Sequence, residues 1–169
     1  MNYYHKKIES PVGLLKLTAS DVGLSSVLWE RDNSEMTQVN TAIESNNNPI
    51  LIETEKQLKE YFEKKRTVFT LKLNFTGTDF QKKVWEALLT IPNGETRSYG
   101  EIAKQIDNPG AVRAVGSAAN KNPVSIIAPC HRVIGSSGKL VGFGGGLENK
   151  AYLLQLEASG RSPTLWNEI

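Results

Sequence analysis

Asn74-Phe75-Thr76-Gly77-Thr78-Asp79-Phe80-Gln81 is where the chain changes character. Upstream, apolar residues come mostly in short runs between turn signals, with one helix among them; downstream the chain reads as mainly helical. Thr78-Asp79-Phe80-Gln81 is a capping box, in which the Thr hydroxyl takes one orphan N–H of the first helical turn and the Gln side chain reaches back for another. Phe80, Val84, Leu88 and Ile91 then share a face, and Pro92-Asn93-Gly94 stops the helix. Ser98-Tyr99-Gly100-Glu101 is a second capping box, opening a short helix with Ile102, Ala103 and Ile106 inward and Asn108-Pro109-Gly110 as its break. A third helix is expected from about Ala111 to Ala119, burying Val112, Val115 and Ala119. Two short helices across a tight Gly-containing break have the shape of a helix-turn-helix. The outward face of the third helix offers Ala111, Ala114, Ser117 and Ala118 with one arginine, Arg113. Small residues suit close approach to a nucleic acid, whereas reading base edges needs several Arg, Asn or Gln side chains.

On the N-terminal side, Leu14, Leu15, Leu17 and Ala19 lie between two turn signals, Ser10-Pro11-Val12-Gly13 and Ser20-Asp21-Val22-Gly23. Leu24, Val27, Leu28 and Trp29 form the next apolar run, so residues 3–30 read as strands. Asp32 to Asn48 is polar and reads as a loop or weak helix. Glu53 to Lys65 is expected as a helix with Leu58, Tyr61, Phe62 and Lys65 on one face, and Val68 to Leu73 as an alternating strand. The fold class is therefore α+β, with a small sheet-plus-helix domain over 1–76 followed by a mainly helical domain with a helix-turn-helix over 77–169.

Bulk composition narrows the function classes. Of 169 residues, 39% are hydrophobic and 22% charged, which fits a soluble globular protein. No apolar run approaches the length of a membrane span and the N-terminus lacks an apolar h-region, so neither a membrane nor a secretory signal is expected. The single cysteine forbids an internal disulfide and suits a reducing cytoplasm. One Cys and two His cannot build a Cys-rich zinc site, and no metal is expected. Net charge is only +2. Ten of the eighteen acidic side chains precede Gly77, against ten of the twenty basic ones, so the small surplus lies in the C-terminal part.

The only cysteine stands in Pro129-Cys130-His131-Arg132-Val133-Ile134, after the apolar run Val124 to Ala128, which reads as buried extended chain. A thiol attacks as its thiolate, and a neighbouring base or cation raises the thiolate fraction. His131 is a candidate base, but neighbours in a strand point to opposite faces. The chain must therefore bend here, or a water must relay the proton. Glu157 is a candidate to orient the imidazole. Residue types alone favour an inert alternative, with Cys130 a small buried hydrophobe and His131 a satisfied histidine. Gly142-Phe143-Gly144-Gly145-Gly146 lacks a phosphate-loop pattern and fits either a loop carrying an aromatic over a pocket or a plain linker.

The run Asn122-Pro123-Val124 through Ile127-Ala128-Pro129-Cys130-His131-Arg132-Val133-Ile134 resembles the active-site signature of the O6-alkylguanine-DNA alkyltransferases. The likeness extends back through Arg113-Ala114-Val115-Gly116 and Arg97-Ser98-Tyr99, and forward through Gly145-Gly146 to Leu153-Leu154 and Glu157. It covers roughly residues 78–158. The resemblance implies direct, single-use transfer of an alkyl group, methyl first, from O6 of guanine and also O4 of thymine to Cys130, with no cofactor. Duplex DNA would be bound through its minor groove with little sequence preference, and the damaged base flipped out to reach the thiol. The protein would act as a monomer, loading on DNA independently or cooperatively.

By the same resemblance, Cys130, His131, Glu157 and Tyr99 carry the chemistry, Tyr99 by giving a proton or hydrogen bond to the guanine ring. Val133, Phe143, Gly144 and Asn122 form the base pocket, where the Cys130 and Val133 carbonyls accept from the exocyclic amine and Asn122 holds the turn. Arg113 fills the vacated stack, and Ala114, Ser117, Ser98 and Lys121 complete the DNA-facing set. Phe143 and Gly144 depart from the family's usual Tyr and Ser or Ala, which implies a roomier pocket for bulky adducts. The rivals are a non-catalytic alkyltransferase-like damage sensor, in which the nucleophile is replaced, a Cys-His-Glu hydrolase, and a sequence-specific helix-turn-helix regulator.

Overall fold

Ser10 and Gly13 make the first turn: Gly13, at φ 105°, donates its N–H to the Ser10 carbonyl at 3.0 Å. A non-Gly residue meets a steric penalty in that region. The turn joins β1 (Tyr3–Ile8) to β2 (Leu15–Ser20), and Gly23 helps return the chain into β3 (Leu24–Trp29). The computed structural model describes residues 2–29, 42–135 and 145–158. Its chain divides into two compact units, 1–76 with 123–125, and 77–122 with 126–169.

The first unit is built on a four-stranded sheet in the order β3-β2-β1-β4, antiparallel except for β4 (Ile43–Glu44), which runs parallel to β1. β2 and β3 are buried along their whole lengths, with Leu15, Leu17, Leu24 and Val27 in the core. Helix α1 spans Pro49–Phe62. It starts four residues before the expected Glu53, because Asn48-Pro49 is a helix start: the Asn48 side chain accepts from the Ile50 and Leu51 N–H groups at 3.0 and 3.1 Å, and Pro suits the first helical position. It stops before Lys65 because Lys64 turns to φ 63°. The strand expected over Val68–Leu73 is absent. Thr70 bonds instead to the Gln57 side chain of α1, and only Leu73 forms a bridge, to Leu24. Val124 likewise makes a single bridge to Val27, which is why residues 123–125 belong to this unit. Of the polar stretch Asp32–Asn48, residues up to 41 lie outside the described part.

In the second unit both capping boxes form. Thr78 opens α2 (Asp79–Leu88) with bonds of 3.0 and 3.1 Å, and Ser98 opens α3 (Tyr99–Gln105) with bonds of 2.9 and 3.1 Å. Helix α4 (Val112–Asn120) packs against both. Trp85 of α2 supplies the largest core side chain, and its indole N–H donates to the Ala118 carbonyl at 2.9 Å. Two expectations for α4 fail: Val112 is 42% exposed, whereas Ala118 is buried and not outward. The inward stripe is Val115, Ala118 and Ala119, one position round from the expected one. A two-stranded parallel sheet pairs β5 (Arg97–Ser98) with β6 (Val133–Ile134), and α5 (Leu147–Ala158) completes the unit. No helix among the described residues is long and apolar enough to cross a membrane.

Candidate active site

Cys130 opens a single turn of 3-10 helix, Cys130–Arg132, closed by bonds from the Arg132 N–H to the Pro129 carbonyl and from the Val133 N–H to the Cys130 carbonyl. The segment before it is no strand. It folds into a buried turn in which Ile126 sits at φ 74°, a region disfavoured for a β-branched residue and costing about 1–3 kcal/mol. What holds the turn closed includes Asn122, whose side-chain amide donates to the Ala128 carbonyl at 2.7 Å. The expected bend at Cys130-His131 is thus a helical turn.

Cys130 is buried and its sulfur is a free thiol. Burial raises its pKa, and the Asn122 side chain, Lys150 and the backbone N–H groups of Cys130 and His131 work in the opposite direction. Burial prevails and the net shift is upward, so the resting group is the thiol and its proton must be taken up before it attacks.

His131 is completely buried, and its Nε2 lies 2.7 Å from Glu157 Oε2. Burial lowers the imidazole pKa, Glu157 raises it, and Arg132 and Lys150 push it down again, with a net lowering. For Glu157, burial would raise the carboxyl, but His131 and Arg132 together hold it well below the usual carboxylate range. A neutral imidazole facing a carboxylate must carry its proton on Nε2 and donate it. Nδ1 is then an acceptor, and it is buried with no protein hydrogen-bond partner.

The sequence motif assigns Arg132 no role, and the structure supplies one. Its Nε and Nη2 donate to the two Glu157 oxygens at 2.8 and 2.9 Å, while Nη1 donates to the Ile91 carbonyl at 2.6 Å. Lys150 was missed outright: it is fully buried on α5 and its Nζ donates to the Val133 carbonyl at 2.7 Å. The available signal was its position three, four and seven residues before Leu153, Leu154 and Glu157, on the inward face. The Val133 and Cys130 carbonyls, assigned to the base, thus each already accept one bond, with a second lone pair remaining.

Tyr99, first residue of α3, is half-buried, and its phenol is raised by burial and by the Cys130 thiolate. It sits directly after β5, whose pairing with β6 brings Arg97 and Ser98 alongside Val133 and Ile134. That two-residue pairing is how the structure carries Tyr99 to the reactive turn. Ser98 is occupied as the cap of α3. Arg113, Ala114 and Ser117 are exposed on α4, and Lys121 is exposed at its end. Phe143 and Gly144 lie outside the described residues. Among the described residues, no group of three His, Cys, Asp or Glu side chains could hold a metal ion.

Residues 79–159 match the DNA-binding domain of 6-O-methylguanine DNA methyltransferase, and residues 3–75 match the ribonuclease-like domain of the same family. A methylated-DNA–protein-cysteine methyltransferase of Methanosarcina mazei is 48% identical over 92% of this chain and 96% of its own. A Mycobacterium tuberculosis O6-methylguanine methyltransferase structure superposes with a TM-score of 0.85 at 45% identity, covering 98% of both chains. A structure of Mycobacterium tuberculosis OGT in complex with DNA gives 0.85 at 46% identity over 94% of both.

Proposed function

The chain belongs to the 6-O-methylguanine DNA methyltransferase family, and from that premise we propose that it repairs DNA by moving an alkyl group from O6 of guanine onto its own Cys130. The observation that carries the assignment is the site itself: a buried thiol beside a neutral histidine whose Nε2 is bonded to an ionised, Arg-held glutamate. The Cys130 proton passes through a water to His131 Nδ1, the one imidazole nitrogen left to accept. The thiolate then displaces the alkyl carbon in line. An S–C bond forms, the C–O6 bond breaks, and its electron pair stays on guanine. Tyr99 donates to the ring as that charge grows, which is transition-state stabilisation by a placed donor.

The product is a thioether, and the mechanism contains no step that breaks it. Each molecule therefore acts once. Duplex DNA is held through its minor groove by the exposed face of α4. Arg113 occupies the stack in place of the flipped base, and Ala114, Ser117 and Lys121 lie against the backbone. The small residues support sequence-tolerant binding. O4-alkylthymine, which presents an alkyl ether to the same thiol, is a second substrate. A lone reactive thiol supports action in the reducing cytoplasm, and the protein acts as a monomer.

Intact-protein mass spectrometry after incubation with a duplex bearing O6-methylguanine tests the reading. Wild type is expected to gain one methylene per molecule and then stop, while Cys130→Ser gains none. Unmodified wild type under conditions where the duplex is bound would favour the damage-sensor alternative. Repeated turnover would favour a hydrolase.

A further inference from the structure

Pro129 stands immediately before the nucleophile, with backbone angles of φ −83° and ψ 69°. Those are the angles of an inverse γ-turn, in which the residues on either side of the central one are joined by a hydrogen bond. That bond is present: the Cys130 N–H donates to the Ala128 carbonyl at 2.8 Å. The same carbonyl accepts from the Asn122 side chain at 2.7 Å, so both of its lone pairs are engaged. The carbonyl of Pro129 in turn accepts from the Arg132 N–H at 2.9 Å, which opens the 3-10 turn that carries the thiol. Every residue from Ile126 to Val133 is buried. Proline suits this position for two reasons. Its ring holds φ, so ψ alone remains to be set, and the γ-turn bond sets it. It also brings no N–H that would need a partner inside a buried turn. Three residues earlier, Ile126 is held at φ 74°, a conformation that persists in a β-branched residue only where the surroundings over-determine it. We propose that Pro129 is a positioning residue for the nucleophile: the γ-turn it holds sets where Cys130 stands before the alkylated base arrives.

This rests on the alkyl-transfer reading and deepens it, because it gives work to a residue that handles neither the proton nor the DNA. An in-line displacement needs sulfur, alkyl carbon and O6 on one line. A misplacement of about 1 Å in such a geometry costs on the order of a hundredfold in rate. Rotation about φ of residue 129 swings the Cys130 backbone relative to Ala128, and the proline ring removes that rotation. The flipped base therefore meets a sulfur whose backbone is already fixed. The benefit falls on the rate of transfer and not on the affinity for DNA, since Pro129 is buried and the cations assigned to DNA lie on α4 and at its end.

Two measurements on the full-length protein test this. The first compares wild type and Pro129→Ala in two reactions followed by intact mass: methyl transfer from a saturating O6-methylguanine duplex, and alkylation by iodomethane, a reagent that no pocket orients. Cys130→Ser serves as the blank. Pro129→Ala is expected to slow transfer from the duplex by about tenfold or more, while reacting with iodomethane at least as fast as wild type. Its affinity for the duplex, measured with Cys130→Ser added to prevent reaction, is expected to stay within about twofold. A merely structural role would lower both reactions together through loss of folded protein. Equal loss in both, or an unchanged rate from the duplex, overturns the proposal. The second measurement leaves Pro129 in place, so it stands even where the alanine variant fails to fold. Crystal structures of Cys130→Ser are compared with and without the O6-methylguanine duplex, and the γ-turn at Pro129 is expected in both. A turn that closes only on the duplex, or opens on it, overturns the proposal. Wild type that reacts with iodomethane but takes no methyl group from the duplex would overturn the alkyl-transfer reading instead, and the pair of crystal structures would still report on Pro129.

Discussion

Glu157 accepts from His131 and from two nitrogens of Arg132, so one buried carboxylate holds both side chains in place. Removing Arg132 would take away two of the donors that hold that carboxylate. Breaking a buried pair by deleting one partner typically costs about 3–5 kcal/mol, because the remaining charge stays desolvated. Arg132→Met is therefore expected to lose stability of that order in chemical denaturation at neutral pH. The sign of its pH dependence follows from the depressed Glu157 carboxyl. In wild type, the stability tied to Glu157 is fully present above the ordinary carboxylate pKa and is lost as pH falls through the lower folded value. Without Arg132 the carboxyl protonates more readily, so the gap between the two proteins is expected to narrow below about pH 4. A gap that stays constant into acid would show that Arg132 acts by packing alone. From residue types His131 and Glu157 were legible only as candidates, which the family resemblance turned into chemistry, whereas Arg132 was not legible at all: arginine in a motif carries no mark of whether it faces water, phosphate or a carboxylate twenty-five residues away.

At the scale of single elements, signals written within four residues were readable and those written across the chain were not. Both capping boxes form because their chemistry is local. The pairs β1–β4 and β5–β6 involve two-residue strands, too short to show any periodicity, yet the second of these brings Tyr99 to Cys130. Asn48-Pro49 looked like a loop end because a helix start and a loop end use the same residues. Two glycines in the second unit show how context decides the sign of one substitution. A Cβ at Gly77 would lie 2.6 Å from the Trp85 ring, which is pinned by its bond to Ala118. Gly77→Ala is expected to destabilise by about 1–3 kcal/mol through overpacking. A Cβ at Gly116, inside α4, would meet the Tyr99 ring at 3.9 Å, an ordinary contact. Gly116→Ala is expected to stabilise by about 0.5–1 kcal/mol, since alanine loses less backbone entropy in a helix. Denaturant midpoints of the two variants should move in opposite directions; a shift of the same sign in both would contradict the packing assigned to Gly77 or to Gly116.

Over the whole chain, the change of apolar pattern at Gly77, from short runs with one helix among them to mainly helical spacing, could be read directly. The membership of residues 123–125 in the first unit could not, because it depends on one bridge between Val27 and Val124 that leaves no trace in local sequence. Charge was the least informative global quantity. A net charge of +2 cannot by itself draw a protein onto DNA, so the attraction must come from the placement of a few cations. Lys121 and Arg113 are both exposed, yet they are given different work. A cation that only neutralises phosphate adds affinity equally for every duplex and contributes about one unit to the slope of log affinity against log salt. A side chain that fills the space left by a flipped base adds affinity where flipping occurs. Lys121→Ala is therefore expected to make the salt slope shallower by about one unit while weakening unmodified and O6-methylguanine duplexes by the same factor, measured with Cys130→Ser to prevent reaction. Arg113→Ala is expected to weaken the alkylated duplex more than the unmodified one. If Lys121→Ala discriminated between the duplexes and Arg113→Ala did not, the assignments of backbone contact and stack filling along α4 would have to be exchanged.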